Sequence, residues 1–344
     1  MIWKLPFILV LLGQMSFTKR YPFNELVAQI NRLNTTWTAE LSAAINYDNE
    51  ESLSNKLGAI LKTFNGGKAK LTEKDMDNYS LTSISGRRLN SLDKFPQELD
   101  LRLKYPNCDS IRMIRSQGEC GSCWALATMN SLSDRYCIAK STQNFVEQKF
   151  FSAQDVLECC TECRRGRQNY CLGGEPILAV NFAKEIGIST GELLSYHGFC
   201  KPYFLDLTVE PKPSEPKCSD RCSNPEGYAV PYTLDKTKIK SVINGNGEIG
   251  MIYALNTGGP VAVGMMVYED LFTYKSGIYK HIEGKALGGH AVRIIGYGTE
   301  SGVKYWIVAN TWGSRWGEEG YFRILRGFNE CNIESETFVS GNWI

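Results

Sequence analysis

Apolar positions in the first part of the chain repeat at helical spacing. Near the amino end they recur every three or four residues, which predicts an amphipathic helix with one apolar stripe. The stripe consists of Phe23, Leu26, Val27, Ile30 and Leu33. A second helical pattern covers residues 125–136, but polar residues interrupt it, so we expect this helix to be half buried. Its apolar positions are Ala127, Leu132 and Tyr136, and its polar positions are Ser131, Ser133, Asp134 and Arg135.

The pattern changes after about residue 225. Short runs rich in β-branched and aromatic residues now alternate with glycine-rich turns, which predicts strands. These runs are Val261–Val267, Ala291–Tyr297, Tyr305–Ala309 and Tyr321–Leu325. A helical part (about 105–215) followed by a β-rich part (about 225–344) favours the α+β class, with a barrel-like sheet and a cleft between the two parts.

The turn before the second helix carries the candidate chemistry. It reads Gln117-Gly118-Glu119-Cys120-Gly121-Ser122-Cys123-Trp124. Its two glycines allow a sharp turn and leave room for another group to approach the sulfur. Cys123 would then lie in the first helical turn, where unpaired amides and the helix dipole favour the reactive thiolate. The stretch therefore predicts an activated cysteine, with Gln117 as an amide donor upstream.

A cysteine nucleophile needs a base, and the chain has three histidines, His197, His281 and His290. His290 follows two glycines and opens an apolar run, whereas Asn310 closes the run Tyr305–Ala309. Both side chains would therefore be held by strand-like segments, which is a common way to fix a catalytic group. We expect His197 and His281 to be structural or surface imidazoles.

These residues resemble the papain superfamily of cysteine peptidases, and within it the cathepsin B type. Cys-Gly-Ser-Cys-Trp matches the signature around the papain and cathepsin nucleophile. The resemblance implies a papain-like two-domain α+β fold that needs no cofactor and no metal. It assigns Cys123 as nucleophile and His290 as general base and then acid. Asn310 would orient His290, and Gln117 would donate a hydrogen bond to the oxyanion.

Composition and charge describe an ordinary globular chain. The 344 residues are 43% hydrophobic and carry a formal net charge of +1, so charge does not favour nucleic acid or an anionic membrane as a partner. Residues 1–18 have the pattern of a secretory signal, and no later stretch reaches the roughly 20 apolar residues of a membrane span. We therefore expect an exported chain. The resemblance implies a monomer in a lysosome or other acidic compartment, or outside the cell.

The resemblance implies that residues 19–94 form a removable prosegment, which inhibits by lying across the active-site cleft. The alternative is a helix that docks permanently on its own domain. Residues 65–94 have linker composition and contain Arg87-Arg88, so we expect processing there. The resemblance implies a mature domain covering 95–344. In an exported chain, Asn34 and Asn78 are glycosylation sequons.

Eleven of the twelve cysteines lie between Cys108 and Cys222, and export favours disulfides. Zinc is an alternative for Cys159, Cys160, Cys163 and Cys171, although no second Cys-x-x-Cys pair follows at zinc-ribbon spacing. The cathepsin B resemblance implies five disulfides and leaves Cys123 and Cys331 free. The implied pairs are Cys108–Cys137, Cys120–Cys171, Cys159–Cys218, Cys160–Cys163 and Cys200–Cys222.

The chain departs from mammalian-type cathepsin B in the segment Lys201–Arg221. Those relatives carry a long occluding loop there, whose His-His pair grips the C-terminal carboxylate of a substrate. Here the segment is shorter, contains no histidine and is rich in proline. We therefore hypothesise an endopeptidase with weak or no release of dipeptides from C-termini.

Further positions match substrate-binding residues of the family. Gly173 and Gly174 resemble the glycine edge that pairs with extended substrate backbone, although Leu172 replaces the usual asparagine. Gly289 and Trp312 would line the same cleft. Glu336 matches the acidic base of the second subsite, where a carboxylate would admit arginine as well as apolar side chains at P2. Expected partners are peptide or protein substrates and cystatin-like inhibitors.

Two other functions are compatible with this fold. Loss of Cys123, His290 or Asn310 would have indicated a catalytically silent, disulfide-rich binding protein, and all three residues are present. An acyl transferase would use the same nucleophile, but no feature specifically favours it. We therefore predict an active cysteine peptidase that is made as a zymogen.

Overall fold

The computed structural model describes residues 23–61, 95–141, 146–192, 198–204, 217–223 and 228–343. The predicted signal segment, Asn78, the linker 65–94 and His197 lie outside the described residues. The helices are α1 (Phe23–Arg32), α2 (Glu50–Asn55), α3 (Leu101–Lys104), α4 (Asp109–Arg112), α5 (Cys123–Lys140), α6 (Ala153–Cys159), α7 (Pro176–Glu185), α8 (Tyr232–Asp235) and α9 (Gly247–Thr257). The strands are β1 (Trp37–Ala39), β2 (Leu99–Asp100), β3 (Ser241–Gly245), β4 (Val261–Tyr268), β5 (Tyr274–Tyr279), β6 (Ala286–Glu300), β7 (Val303–Ala309), β8 (Tyr321–Leu325) and β9 (Phe338–Asn342).

The strands form one sheet in the order β1-β5-β8-β7-β6-β4-β9-β3, with β2 added on β6. The α+β class is confirmed, and all four predicted strands are present as β4, β6, β7 and β8. The sheet is open among the described strands, so it is not a closed barrel. Its long strand β6 pairs with β4 on one side and with β7 on the other.

Helix α5 packs against the sheet through β6, β9 and β4, and it is buried on every side from Cys123 to Cys137. The prediction of a half-buried helix was wrong, because its polar side chains have buried partners. Asp134 forms an ion pair with Arg293 of β6 at 2.6 Å, and Ser131 bonds Ser340 of β9 at 2.6 Å. Arg135 donates to three backbone carbonyls near the end of α9. A helix can be fully buried when its charged groups and hydroxyls find partners in this way.

The amino-terminal segment docks on the β-rich half. Phe23, Leu26 and Ile30 of α1 are buried in the core, whereas Leu33 lies beyond the helix end and is 55% exposed. Strand β1 pairs with β5, and the Trp37 indole donates to the Lys280 carbonyl at 2.9 Å. These contacts fix the segment at one edge of the sheet, from which residues 50–61 continue towards the cleft.

Five disulfides are present, and they are the five pairs that the resemblance implied. They are Cys108–Cys137, Cys120–Cys171, Cys159–Cys218, Cys160–Cys163 and Cys200–Cys222. The cysteines considered as zinc ligands are all in these bonds, so their thiolates are not available to a metal. Cys123 and Cys331 are free and buried. Within the described residues, no helix is both long and apolar enough to cross a membrane.

Candidate active site

Cys123 is the first residue of α5, as the sequence predicts. The loop before it is held by the Cys120–Cys171 disulfide and by a hydrogen bond from the Gly121 amide to the Cys171 carbonyl at 3.0 Å. Across the cleft, the Ala291 amide of β6 donates to the Cys123 sulfur at 3.4 Å. The sulfur therefore lies between the helix end and the strand that carries His290.

His290 and Asn310 meet because they lie on adjacent strands, β6 and the end of β7. The Nε2 atom of His290 is 2.7 Å from Oδ1 of Asn310, and both side chains are buried. The Thr311 amide, which can only donate, also bonds this Asn310 atom at 2.8 Å, so the atom is the oxygen. We infer that Nε2 carries the hydrogen and that Nδ1 has the free lone pair. Among the described atoms, Nδ1 of His290 is buried without a hydrogen-bond partner.

Trp312 covers the His–Asn pair. Its ring centroid lies 4.9 Å from that of His290, and its other neighbours include Phe272, stacked at 4.8 Å. The side chain is 1% exposed. Excluding water from the His290–Asn310 hydrogen bond strengthens it, since a hydrogen bond in a low dielectric competes less with solvent.

Hydrogen bonds to both the oxygen and the nitrogen of its amide group orient the Gln117 side chain. Its oxygen accepts from the Thr311 hydroxyl at 2.7 Å, so its amide nitrogen points the other way. That nitrogen donates to the Cys120 carbonyl at 2.8 Å and to the Asn55 carbonyl at 3.2 Å. Thr311 was not identified from the sequence, yet it contacts both Gln117 and Asn310. A polar residue next to the predicted Asn310 was the only available signal.

Residues 55–61 cross the cleft between its two walls. The Gly58 and Ala59 amides donate to the Gly289 carbonyl at 2.9 and 3.1 Å on one side. On the other side, Gly174 donates to Gly58 at 2.9 Å and accepts from Ile60 at 3.1 Å. Gly174 of the predicted glycine edge and Gly289, which we expected to line the cleft, are therefore both hydrogen-bonded to the chain itself.

Only glycines allow this close approach. A Cβ atom on Gly58 would overlap the carbonyl oxygen of Gly121, which lies in the loop before Cys123. Gly173 has a φ of +102°, a conformation that glycine adopts without strain, and a side chain there would meet the Gly58 carbonyl. The sequence did not indicate which residues make the crossing, since a single glycine in the run Leu57-Gly58-Ala59 is a weak signal.

Residues 55–61, which we call the crossing segment, are also anchored beside the loop before Cys123. Lys56 is 4% exposed, and its ammonium donates to the Gly118 carbonyl at 3.0 Å and pairs with Glu119 at 3.3 Å. Its carbonyl accepts from the Trp312 indole at 3.2 Å. The Asn55 carbonyl also accepts a hydrogen bond from the Gln117 side chain. These contacts together cover the polar groups of Gln117, Gly118 and Glu119 near Cys123.

Glu336 lies in a small pocket with Gly264, Pro176 and Ile177. It is 4% exposed, so it is not the solvated surface glutamate that would be its simplest alternative. Leu61 reaches this pocket from the crossing segment, because a Cβ on Gly264 would meet the Leu61 side chain at 2.7 Å. A carboxylate at an apolar pocket suits both apolar and cationic side chains.

Burial changes the protonation of the pair in this covered state. Desolvation raises the pKa of Cys123 to about 12, although the Ala291 amide hydrogen bond opposes the shift. Desolvation also lowers the pKa of His290 from 6.5 to about 4, against the effect of Asn310. Both groups are therefore neutral near pH 7 while the cleft is covered.

His281, the third histidine, lies away from this site. Its ring stacks on Tyr268 at 3.8 Å, and Nδ1 bonds the buried Asp270 at 3.1 Å. This is the structural environment that we expected for it. Within the described ranges, no three His, Cys, Asp or Glu side chains are grouped so that they could hold a metal.

The fold and this constellation define a cysteine protease of the papain type. The profile for the papain family cysteine proteases matches residues 95–340, and the chain belongs to this family. Within it, the chain is cathepsin B-like. Cathepsin B-like cysteine proteinase 4 of Caenorhabditis elegans is 42% identical over 255 residues, which cover 70% of this chain and 74% of that protein. A gut-specific cysteine proteinase of the same organism is 42% identical over 250 residues, covering 71% and 73%.

Comparison with solved structures supports the papain-like fold and the cathepsin B-like assignment. The proCathepsin B S9 structure from Trypanosoma congolense superposes with a TM-score of 0.69 at 32% identity, covering 92% of this chain and 97% of that one. Procathepsin L 3 from Tenebrio molitor, at 20% identity and a TM-score of 0.64, shares the fold.

Proposed function

We propose that this protein is a cysteine endopeptidase made as a zymogen, with Cys123 as nucleophile and His290 and Asn310 as its catalytic partners. The observation that carries the proposal is the 2.7 Å contact between His290 Nε2 and Asn310 Oδ1. It leaves the Nδ1 lone pair of His290 to accept the Cys123 proton. No second function has an observation of its own in the site.

Catalysis would begin when the prosegment leaves and the cleft fills with water and substrate. The burial that keeps both groups neutral is then reduced, so proton transfer from Cys123 to His290 gives a thiolate–imidazolium pair. The thiolate attacks the peptide carbonyl, and the imidazolium protonates the leaving amine. Water then hydrolyses the acyl-enzyme with His290 as base.

Gln117 and the Cys123 backbone amide would stabilise the oxyanion of each tetrahedral intermediate. The support for Gln117 is that its amide nitrogen already holds a carbonyl oxygen, that of Asn55. We infer that residues 55–61 inhibit by occupying this donor together with Gly174 and Gly289. Residues 19–94 would be the prosegment, and 95–344 the mature domain.

Substrate selection would depend on the Glu336 pocket. Leu61 contacts Gly264 there, which supports apolar side chains at P2, while the Glu336 carboxylate would pair with arginine. The endopeptidase assignment rests on the absence of histidine from Lys201–Arg221. Residues 205–216 of that segment lie outside the described residues.

The cellular setting follows from the same proposal. We propose entry to the secretory pathway through residues 1–18, with a lysosomal or extracellular destination and sensitivity to cystatin-like inhibitors. Asn34 is exposed in a left-handed turn with φ of 48°, which suits a glycosylated sequon. Asn78 lies outside the described residues.

A mass-spectrometric time course tests the proposal. Acid-activated protein and the Cys123→Ala variant are incubated with two peptides of one sequence, one with a free carboxyl end and one amidated. Internal cuts in both peptides, absent from the variant, are expected. Sequential loss of dipeptides from the free end alone would overturn the endopeptidase assignment, and equal cutting by the variant would overturn the nucleophile.

A further inference from the structure

A buried tyrosine fastens the loop of residues 117–122, which we call the oxyanion loop. Tyr203 is 3% exposed, and its hydroxyl lies 3.0 Å from the Gln117 carbonyl and 2.6 Å from the Ser122 hydroxyl. A carbonyl can only accept, so the Tyr203 hydroxyl donates to Gln117. The Ser122 hydroxyl then donates to the tyrosine oxygen. One hydroxyl group thus joins the first and last residues of the loop.

The two joined residues carry the two proposed oxyanion donors. Gln117 provides its side-chain amide, and Ser122 immediately precedes the backbone amide of Cys123. Ser122 is the N-cap residue of α5, but its side chain does not cap the helix and is directed to Tyr203 instead. Holding Gln117 and Ser122 on one hydroxyl therefore fixes the separation of the two donors.

Tyr203 is itself held on a rigid frame. Its backbone amide donates to the Glu192 carbonyl at 2.7 Å. The Glu192 carboxylate forms a buried ion pair with Arg115, two residues before Gln117. Close by, Cys200 is joined to Cys222 by a disulfide. The position of the hydroxyl is therefore determined by contacts on both sides of the loop, not by the tyrosine rotamer alone.

We propose that Tyr203 is a positioning residue for the oxyanion hole. The inference rests on the proposed function, since it requires Gln117 and the Cys123 amide to bind an oxyanion. In this arrangement Tyr203 acts through Gln117 and Ser122 and not on the substrate itself. Its hydroxyl sets the distance between the two donors.

The test separates oxyanion chemistry from thiolate chemistry in the activated enzyme. Peptide hydrolysis forms an oxyanion, whereas alkylation by iodoacetamide displaces iodide at a carbon and forms none. Removing one oxyanion donor outright costs about 10²–10³ in kcat, so a displaced donor should cost about tenfold. For Tyr203→Phe we expect kcat to fall about tenfold, KM to stay within about twofold, and the rate and pH profile of Cys123 alkylation to stay unchanged.

A double-mutant cycle and a matched tyrosine complete the design. Ser122→Ala removes the other half of the contact, so its effect should not add to that of Tyr203→Phe. Tyr232→Phe is the control, because its hydroxyl bonds Asp155 at 2.7 Å and not a residue of the oxyanion loop. It should leave kcat unchanged.

Three outcomes overturn the inference: an unchanged kcat in Tyr203→Phe, a parallel fall in alkylation, or full additivity with Ser122→Ala. If Tyr203→Phe does not fold, Ser122→Ala alone must show the lowered kcat with normal alkylation. Failure of the proposed function is a different result. In that case the wild-type protein itself does not cleave, or Cys123→Ala cleaves as well as it does.

Discussion

Acid should open the cleft of the full-length chain by protonating His290. In the covered state, burial lowers the pKa of His290 from 6.5 to about 4. When residues 55–61 leave, the imidazole meets solvent and its pKa should return towards its usual value. The open state then binds the proton more tightly. The contribution of His290 to the covered state is therefore complete above about pH 6.5 and is lost as the pH falls to about 4.

The size of the effect follows from the difference between the two pKa values. The difference of about 2.5 between the two pKa values corresponds to about 3 kcal/mol, or roughly a 300-fold change in the ratio of covered to open protein. About a hundredfold of this change falls between pH 7 and pH 4. Burial raises the pKa of Cys123 to about 12, so the thiol of the covered state does not titrate in acid. Replacing Cys123 by alanine removes its contribution altogether.

Hydrogen exchange of the crossing segment measures this ratio. Full-length Cys123→Ala cannot process itself, and its Gly58, Ala59 and Ile60 amides donate directly to the cleft walls. After correction for intrinsic exchange, their protection should fall about a hundredfold between pH 7 and pH 4. Amides in the β6–β7 pairing should keep their protection.

His290→Gln in the same background is the decisive control. It removes the titrating imidazole but keeps a polar side chain, and the Lys56–Glu119 ion pair is the same in both proteins. The loss of protection should shrink to less than about threefold. An undiminished loss in His290→Gln would refute the reasoning and assign the acid response to other groups.

Three further outcomes are expected. Lys56→Ala removes the contacts to Gly118 and Glu119, so self-processing should speed up several-fold, measured by gel densitometry; an unchanged rate would contradict this. Glu336→Gln should lower kcat/KM about tenfold or more for arginine at P2 but not for leucine, because a charge-assisted bond is lost; equal losses would exclude the pairing. Arg293→Met leaves Asp134 buried without its cation, so it should lower the free energy of unfolding of the Cys123→Ala chain in urea by about 3–5 kcal/mol. A loss below about 1 kcal/mol would show that the ion pair contributes little.

The site residues that could be predicted are those in short motifs with a local cause. Cys123 begins a helix after a glycine-containing turn, and His290 and Asn310 lie at the edges of apolar runs, so each has a visible pattern around it. Their meeting depends on β6 lying beside β7, which the runs themselves do not specify. The family resemblance supplied that pairing, together with the disulfide connectivity.

Other features depend on distant partners and had no local signal. Helix α5 was predicted to be half buried because its polar side chains look like a solvent face, yet Asp134 meets an arginine from β6. The barrel-like sheet was expected from a series of short strands, but the strand order leaves the sheet open. Tyr203 and Thr311 act through single hydroxyls that contact residues far along the chain.

Trapping the acyl-enzyme tests the central claim most directly. Activated protein is mixed with an activated peptide ester, quenched in acid, digested and sequenced by mass spectrometry. The chain has two free thiols, Cys123 and Cys331, so the acylated residue can be identified by comparing these two cysteines within one sample. We predict that the acyl group is found on Cys123. In enzyme that contains His290, this group should be lost by hydrolysis when the mixture stands before quenching. An acyl group on Cys331 alone, or hydrolysis without any adduct on Cys123, would contradict the account.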